Sequence, residues 1–537
     1  MKLQKLKILL QLYLLFIFPV AGQSQIVFQH LNNKDIYEFL DVLANQHIID
    51  LNSAIKPYSR SFISDKLTEA LNKKDSLSES QIDNVNFYLK DYNKEKYNKG
   101  EFDKRFDVFF YKDSLFTFSL NAILGIEYFN NENGSNYHRW NGGEFFAYVG
   151  PHVGFYASLR DNKESKVLSD EGFLTPRTGA LYKPDNSGGG DFSEARGGLI
   201  YSWKWGHFGI LKDHFEWGNN YNGSNIFSGR TPSFAHIKFQ MRPVEWFEFN
   251  YIHGFLVSNV IDTGRSYVAG VKEREIFFPK FIAANMYTFK PFKKLYFSLG
   301  NSVVYSDEFQ LAYLFPFYFF KSVDHSQSST GSNYLGQNSQ VYFDISSRQL
   351  KYLHLYSSIF IDEISFSRFN NKDEHSNFIS IKIGGALSHP IIPNTTFIAE
   401  YTRTNPIVYQ HFVSTTTFET NNFILGHYLS DNSDEIFLKV ANRSVNKLNL
   451  SASITLSRRG EAYPYTGTDG SGLGLPFMDE VKWENSAFTF KAAYQLVNDG
   501  YIFATFSAAD QKGMKDWTAP YFQGKTNTIS GGINFGF

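Results

Sequence analysis

Apolar and polar residues alternate without a break in Leu448-Asn449-Leu450-Ser451-Ala452-Ser453-Ile454-Thr455-Leu456-Ser457. Successive side chains of a β-strand point to opposite faces, so this segment has one apolar row and one polar row. A run of about ten residues is also the length of a tilted strand that crosses a bilayer. The segment therefore predicts a membrane-spanning strand with one face toward lipid.

The same two-row pattern continues from about Phe106 to the end of the chain, and it is clear at residues 237–241 and 488–496. A soluble β-sandwich would bury such a row against a second sheet, but a single sheet of this length has no such partner. About 430 residues, at roughly 22–26 for each strand and its turn, give ~16–20 strands, and bacterial barrels have even numbers. We predict a mainly β fold, a transmembrane antiparallel β-barrel of about 18 strands, preceded by a small α-helical domain.

The chain ends in one more alternating row, which consists of Ile529, Gly531, Ile533, Phe535 and Phe537. A final aromatic residue on such a strand resembles the signal by which the barrel assembly machinery of the outer membrane recognises its substrates. The resemblance implies this machinery as a partner during biogenesis.

Composition excludes several classes of protein. The 537 residues include 55 Phe, 33 Tyr and 7 Trp, and an aromatic content of 18% is about twice that of ordinary globular chains. The formal net charge is −1 and Lys/Arg blocks are absent, so nucleic acid is not an expected partner. Mature residues also contain no apolar stretch near the ~20 residues of a helical span. Without cysteine, disulfides, thiolate metal sites and a lipidated N-terminal Cys are excluded.

The N-terminus has the three parts of a secretory signal peptide. Lysines precede an apolar run at residues 8–20, and the small residues Ala21 and Gly22 follow it. The run is short for a membrane span, although a retained anchor is the alternative. We predict a signal peptide at residues 1–22 and export of the mature chain.

Between residues 32 and 99 the apolar period becomes that of a helix. Ser78 and Gln81 form a capping box ahead of the third helix. We predict a periplasmic helical domain at residues 23–105 and an outer-membrane barrel at residues 106–537. The three apolar faces are Ile36-Phe39-Leu40-Leu43, Phe62-Ile63-Leu67-Ala70-Leu71 and Ile82-Val85-Leu89-Tyr92.

Four segments rich in Gly, Ser, Asn and Asp interrupt the alternation and predict loops. They are residues 130–136, 165–191, 322–338 and 463–476. Long loops of outer-membrane barrels lie outside the cell, and short turns face the periplasm. We expect the same orientation for this chain, with outer-membrane lipid around the barrel.

Charged residues within alternating stretches predict a lumenal cluster. Asp362, Glu363 and Arg368 lie on one such stretch, and Glu400 and Arg403 lie on another. Polar lumens carry charges routinely, so the first interpretation is ion pairs that link adjacent strands. The second interpretation is a polar surface for a carbohydrate.

The most distinctive segment is Gly209-Ile210-Leu211-Lys212-Asp213-His214-Phe215-Glu216-Trp217-Gly218, followed by Gly223-Ser224-Asn225-Ile226-Phe227-Ser228 and Pro232. It resembles the capsule-assembly Wzi family of outer-membrane proteins, in which an acidic residue, a Trp-Gly pair, a Gly-Ser turn and a later Ser and Pro recur in this order. Residues 314–318, 338–344 and 356–363 agree with that resemblance. Residues 55–60, between the first two helices, look like the branch of the family found in Bacteroidetes.

The resemblance implies a lectin-like barrel with a largely occluded lumen, which fixes capsular or other surface polysaccharide to the outer membrane and meets a polysaccharide export complex. Sugar binding needs aromatic faces flanked by carboxylates and amides. Asp213, Trp217, Tyr221 and Asn222 supply that chemistry, and we predict them as glycan-binding residues. The alternative for Trp217 is an aromatic of the membrane interface or a plug of the lumen.

Enzymatic chemistry has little support in this sequence. It lacks a G-x-S-x-G elbow and an H-E-x-x-H helix, and the spacing of His207, His214, His236 and His253 fixes no metal site. We predict a protein that is not an enzyme and has neither cofactor nor metal. The alternatives are a general diffusion porin or substrate channel and, less favoured, a barrel hydrolase.

Overall fold

The computed structural model describes residues 25–97, 100–323, 336–366, 377–465 and 474–536, and within them eighteen antiparallel strands close into a barrel. The strand number and fold class predicted from the sequence are confirmed. The predicted signal peptide, Arg368 and Phe537 lie outside the described residues. The barrel strands are β1 (Phe116–Asn131), β2 (Gly134–Val149), β3 (Val153–Glu164), β4 (Gly190–Trp203), β5 (Gly206–Asp213), β6 (Phe234–Val244), β7 (Phe247–Ile261), β8 (Phe277–Phe292), β9 (Leu295–Ser306), β10 (Asn338–Ser347), β11 (Leu353–Glu363), β12 (Phe378–Ser388), β13 (Thr395–Thr404), β14 (Ser433–Asn442), β15 (Leu448–Gly460), β16 (Val481–Val497), β17 (Gly500–Gly513) and β18 (Gly524–Phe535).

Each strand pairs with its neighbour along the chain, and β18 pairs with β1 to close the barrel, with Ile533 opposite Ile126. Alternation positions the side chains as predicted. On β15, Ile454 points outward and is 42% exposed, whereas Ser457 points into the lumen and is 1% exposed. The apolar row therefore forms the outer surface and the polar row lines the lumen.

The two ends of the barrel differ. At one end short turns such as residues 204–205, 245–246 and 293–294 join the strands. The other end carries the long connections, among them residues 165–189, 214–233 and 405–432. We call these the short-turn end and the long-loop end.

The predicted loop at residues 130–136 is wrong. β1 runs to Asn131 and β2 starts at Gly134, so only Glu132 and Asn133 form the connection. Asn131 Oδ1 accepts a hydrogen bond from Asn133 N at 2.8 Å, and Gly134 has a positive φ of 97°. Asn and Gly therefore form a tight hairpin turn here, although the same residues also occur in open loops.

Three helices precede the barrel, α1 (Lys34–Asn45), α2 (Arg60–Leu71) and α3 (Glu79–Tyr92), and they confirm the helical period of this region. The capping box at Ser78 and Gln81 is present in both directions. The apolar faces of the helices pack into a core of their own, which includes Leu40, Leu67 and Val85. None of the helices among the described residues combines the length and the apolar character that crossing a membrane requires.

Shorter elements complete the structure. The short strands are Ile55–Lys56, Phe109–Lys112, Lys183–Pro184, Glu216–Trp217, Tyr267–Ala269, Lys272–Arg274, Glu419–Thr420 and Phe423–Ile424. The 3-10 turns are Lys74–Ser76, Asn93–Glu95, Leu311–Leu314, Ser414–Thr416, Lys515–Trp517 and Pro520–Phe522.

The helical region is attached to the short-turn end by ion pairs. Arg348, in the turn between β10 and β11, donates to Asp41 Oδ1 at 2.6 Å and to Asn45 Oδ1 at 2.8 Å. Lys439 pairs with Glu38 at 2.6 Å. Because Arg348 is buried, its charge must be paired, and α1 supplies the partners.

The helical region also reaches into the lumen. Val27 and Phe28 pack on the inner sides of β2 to β5, and Ala54 and Ile55 join a core cluster with Trp217. The region thus has its own core and contributes to the core of the barrel. That it folds as a separate domain stays a prediction.

One long connection lies on the outer surface. Residues 309–323, which we call the external segment, cover the outward face of β6 to β9, where Tyr313 and Phe320 pack against Phe249 and Tyr305. The backbone of the segment finds partners on the wall, because Asn285 Nδ2 donates to the carbonyl oxygens of Pro316 and Tyr318 at 2.9 Å.

Candidate functional site

The loop between β5 and β6, residues 214–233, folds into the lumen, and we call it the lumen plug. It begins with the short strand Glu216–Trp217, which pairs antiparallel with Ile55–Lys56 of the helical region. Trp217 is 1% exposed and lies edge-on to Phe227 and Tyr342, with ring centroids 5.3 and 6.3 Å apart. The alternative interpretation of Trp217, a plug of the lumen, describes its position.

Buried side chains of the far wall hold the plug by its backbone and amides. Asn219 N and Nδ2 donate to Asp344 of β10 at 2.9 and 2.6 Å. Asn225 Nδ2 donates to the Ser380 carbonyl of β12 at 3.1 Å, and Ser358 Oγ of β11 donates to Asn225 Oδ1 at 2.6 Å. The plug is thus attached to strands that are more than a hundred residues away in the sequence.

Glu400 of β13 is the acceptor at the centre of this arrangement. Tyr221 N and Asn222 N donate to its two carboxylate oxygens at 2.8 and 2.9 Å. Tyr356 OH donates to it at 2.5 Å, and Lys382 Nζ lies 3.3 Å away. The predicted residues Tyr221, Asn222 and Glu400 therefore meet in space, and their contact fixes the plug.

A second loop, residues 405–432, also turns inward. Ile407, Tyr409 and Phe418 are buried in the same cluster as Trp217. Tyr409 OH donates to the Asn225 carbonyl at 2.9 Å, so the two inward loops contact each other. Together with the helical region, they place buried side chains inside the lumen of the described structure.

Asp213, the fourth predicted glycan residue, forms a buried ion pair. Arg196 Nε and Nη2 donate to its two oxygens at 2.7 and 3.2 Å, and Tyr156 OH donates to it as well. This bidentate pair joins β4 and β5 at the base of the plug. Glycan contact by Asp213, Trp217, Tyr221 and Asn222 stays a prediction, and in this structure all four lie inside the barrel.

The residues of the predicted charged cluster lie on both faces of the barrel wall. On β13, Glu400 faces the lumen, whereas Arg403, three positions later, faces outward and stacks on Phe477 at 3.8 Å. Asp362 accepts a hydrogen bond from lumenal Gln340 at 3.2 Å, and Glu363 follows at a register shift of β11. A single cluster with Arg403 is wrong, because an odd spacing on a strand reverses the face.

Within the described part of the chain, one group of side chains could hold a metal ion. The ligand atoms of His30, Glu194 and His214 all lie within 4.8 Å of one another. Burial, and after it the charge of Arg196, keep the pKa of His30 well below its usual value, so its imidazole is neutral. No sequence motif indicates this group, because His30 is far from the other two residues along the chain.

A cavity of about 210 Å³ opens at the long-loop end, where four connections and the end of β15 converge. Its lining includes Arg230 at the end of the plug, Arg459 at the end of β15, Trp517 and Tyr428. Arg459 lies over the Trp517 ring at 4.2 Å, and Arg230 lies over the Tyr428 ring at 5.1 Å. We call this the mouth cavity.

Two further cavities, of about 510 and 100 Å³, share lining residues with the mouth cavity and extend toward the lumen plug. Arg177 lines the mouth cavity and the larger one, and Arg230 lines the mouth cavity and the smaller one. Polar and aromatic side chains thus surround a branched space above the plug. Sequence analysis did not identify this space because its walls come from separate loops.

No protein-family model matches the chain, and no curated protein matches it in sequence. Among solved structures, Wzi of Escherichia coli is similar, with a TM-score of 0.57 and 11% identity over 96% of this chain and 100% of that one. Wzi is described as an outer-membrane protein involved in group 1 capsule assembly and as a carbohydrate-binding β-barrel. OprD of Pseudomonas aeruginosa gives a TM-score of 0.40 and 11% identity over 78% of this chain and 94% of that one. OpdK of Pseudomonas aeruginosa, solved with vanillate, gives a TM-score of 0.42 and 9% identity over 78% of this chain and 98% of that one. At this identity the similarity to Wzi establishes the fold of the chain, a barrel of the kind found in outer-membrane proteins.

Proposed function

We propose that this chain is a non-enzymatic outer-membrane protein that binds surface polysaccharide at its long-loop end and assists its assembly or attachment. The observation that carries the proposal is that two loops and the helical region occupy the lumen. The plug is held by Asp344 and Glu400, and residues 405–432 pack against it. A barrel filled in this way does not serve free diffusion, so its surfaces must provide its function.

The outer surface supports a place in the membrane. Outward residues of several strands are apolar and exposed, such as Leu199, Ile210 and Ile454. Exposure of this apolar surface to water is unfavourable, whereas contact with the hydrocarbon of a membrane is favourable. In this proposal the short-turn end and its helices lie in the periplasm, and the long loops lie outside the cell.

The mouth cavity supports carbohydrate as the ligand. It combines the aromatic side chains of Phe423, Tyr428 and Trp517 with guanidinium and carboxylate groups, the two kinds of surface that sugar rings and hydroxyls require. Wzi, whose fold is similar, is described as a carbohydrate-binding barrel, which supports carbohydrate as the class of ligand. In the proposal the four predicted residues act beneath the cavity, where they hold its floor.

The experiment that tests the proposal has two parts, both with the full chain. In planar bilayers the purified protein should be silent or flicker, and steady conductance would instead support a porin. In cells, deletion of the gene should increase shedding of surface polysaccharide into the medium while synthesis continues, and the intact gene should restore retention. Unchanged retention would contradict a role in attachment.

The remaining partners stay predictions. Recognition by the barrel assembly machinery requires that a change at Phe537 slows insertion. A polysaccharide export complex as partner requires that cross-linking from the helical region captures it.

A further inference from the structure

Two arginines of the mouth cavity carry buried donors without an acceptor. Arg230 Nη1 and Arg459 Nε are inaccessible to water, and neither atom has a hydrogen-bond partner in the part of the chain that the structure describes. A buried donor that lacks an acceptor destabilises a protein, most of all when it belongs to a charged group. Such groups in a cavity indicate a ligand that supplies the acceptor.

Neighbouring arginines show the usual arrangement. Arg177, in the same lining, pairs with Glu164 at 3.5 Å. Arg458, next to Arg459 on β15 but facing outward, pairs with Asp434 at 2.5 Å. Arg230 and Arg459 form no ion pair with any described residue, so their charges are available to bind an anionic ligand.

The geometry of these two groups suits a carboxylate. Arg459 lies over the Trp517 ring and Arg230 lies over the Tyr428 ring, so an aromatic contact restricts each guanidinium group at the lining of the cavity. A guanidinium edge matches the two oxygens of a carboxylate in a bidentate pair. The rims add Asp170 and Glu171, which can accept hydrogen bonds from sugar hydroxyls.

We propose that the mouth cavity is a subsite for a carboxylate-bearing sugar residue within the polysaccharide. The inference rests on the proposed function and makes it more specific. Arg230 and Arg459 bind the carboxylate, and Trp517 and Tyr428 position them. A cavity of about 210 Å³ is smaller than the site of a drug-sized ligand and accepts one sugar residue, while the neighbouring cavities leave room for the adjoining residues of the polymer.

The phosphate of a lipid headgroup has related chemistry, but the cavity lies on the inner side of the wall. Arg459 faces the lumen, because the outward face of β15 presents Arg458, Leu456 and Ile454. A lipid in the outer leaflet would meet Arg458 first. We therefore assign the subsite to the polysaccharide, and the experiment includes a lipid arm.

The test measures binding of carboxylated oligosaccharides to the purified full chain by calorimetry. The probes are oligogalacturonate, oligoalginate and hyaluronan oligosaccharides, each paired with its carboxyl-reduced form. At least one acidic probe should bind, and carboxyl reduction should weaken it by about tenfold or more, as expected when a charged hydrogen-bonded pair is lost.

Variants locate the site. Arg459→Gln and Arg230→Gln should each weaken binding of the acidic probe about tenfold. Arg459→Lys should give a smaller loss, because the charge remains but the bidentate geometry does not. Arg458→Gln is the matched control, since it removes the neighbouring arginine from the opposite face of the same strand, and it should leave the affinity unchanged. Heat-modifiability on gels verifies that each variant is folded.

Equal binding of acidic and reduced probes, or unchanged affinity in both glutamine variants, would overturn the subsite but not the proposed function. Tighter binding of phosphatidylglycerol vesicles than of any acidic probe, lost in Arg459→Gln, would assign the cavity to lipid and also overturn it. If no acidic probe binds, the subsite is wrong. If polysaccharide retention in cells is also independent of the gene, the proposed function is wrong as well.

Discussion

The lumen plug and the external segment cover opposite faces of the same wall. On β8, Ile282, Ala284 and Met286 belong to the cluster around Trp217, whereas the intervening Ala283 packs against the external segment. This part of the sheet is therefore buried on both sides, although it belongs to a barrel whose other strands expose their outward face.

The two loops differ in what they provide to the wall. The lumen plug brings backbone N–H groups and amides to carboxylates such as Glu400, in a space that water could otherwise fill. The external segment covers Asn285 and Asn301, amides that point outward, where lipid offers no hydrogen bonds. The inner loop occupies part of the lumen, and the outer loop satisfies polar groups that would otherwise destabilise the wall in a membrane.

Removal of the inner loops should have the largest effect. Replacing residues 218–229 and 408–426 each with a short Gly-Ser linker deletes the contacts with Asp344 and Glu400. We expect the silent barrel to conduct steadily in planar bilayers, since only the helical region then remains in the lumen. Replacing residues 312–319 in the same way is the control, and it should leave the barrel silent because this segment lies outside the wall. Conduction by the control, or silence of the first variant, would contradict the assignment of the two faces.

Trp217→Ala should give the next largest effect. Truncating a buried tryptophan typically destabilises a core by about 3–5 kcal/mol. The wall carries its own hydrogen bonds, so the barrel should remain heat-modifiable while the plug loosens, flickering conductance appears and more polysaccharide is shed. Trp205→Ala, at an exposed residue of a short turn, is the matched control and should change neither property. Complete unfolding of the Trp217 variant would show that the plug is required for the wall itself.

The sequence predicted the wall far better than its contents. Alternation in residues 448–457 specified both strand and face, because the period of a strand is local. Trp217 lies against Tyr342, a contact across the barrel that no local pattern contains. Arg459 carried a partial signal, since Arg458 and Arg459 are adjacent on a strand and must face opposite sides, one of them the lumen. Arg230 carried none, because its position depends on how the plug folds.

The external segment offers a third test, with a smaller effect. Phe317 is 41% exposed on the outer surface, and it should face lipid if the barrel spans the membrane. The chain has no cysteine, so Phe317→Cys provides a single site for a nitroxide label. In liposomes the label should be accessible to oxygen and shielded from a water-soluble nickel chelate. A label at Val271→Cys, in a fully exposed loop, should show the reverse.

Asn285→Leu should release this segment in part, because it removes the two hydrogen bonds from Asn285 Nδ2 to the segment, each typically worth about 1 kcal/mol. The nitroxide at residue 317 should then become more mobile, while conductance stays silent. An unchanged spectrum would mean that aromatic packing alone, such as that of Phe317 on Phe249, holds the segment.

The smallest effect is expected where the helical region meets the short-turn end, and it depends on pH. Burial raises the pKa of Glu38, but Lys439 and Arg443, and to a lesser degree Lys34, outweigh burial and lower it from 4.5 to about 2. A carboxyl whose pKa is lowered in the docked state stabilises that state above its ordinary pKa and loses this contribution as the pH falls. Docking should therefore weaken between pH ~4.5 and ~2, by about 1–3 kcal/mol for this group.

Limited proteolysis of the helices with pepsin across this range measures the change. Glu38→Gln should remove much of the pH dependence. Glu79→Gln, which changes an exposed glutamate at the start of α3, is the control and should retain it. If both variants keep the wild-type profile, the ion pair of Glu38 and Lys439 does not control docking.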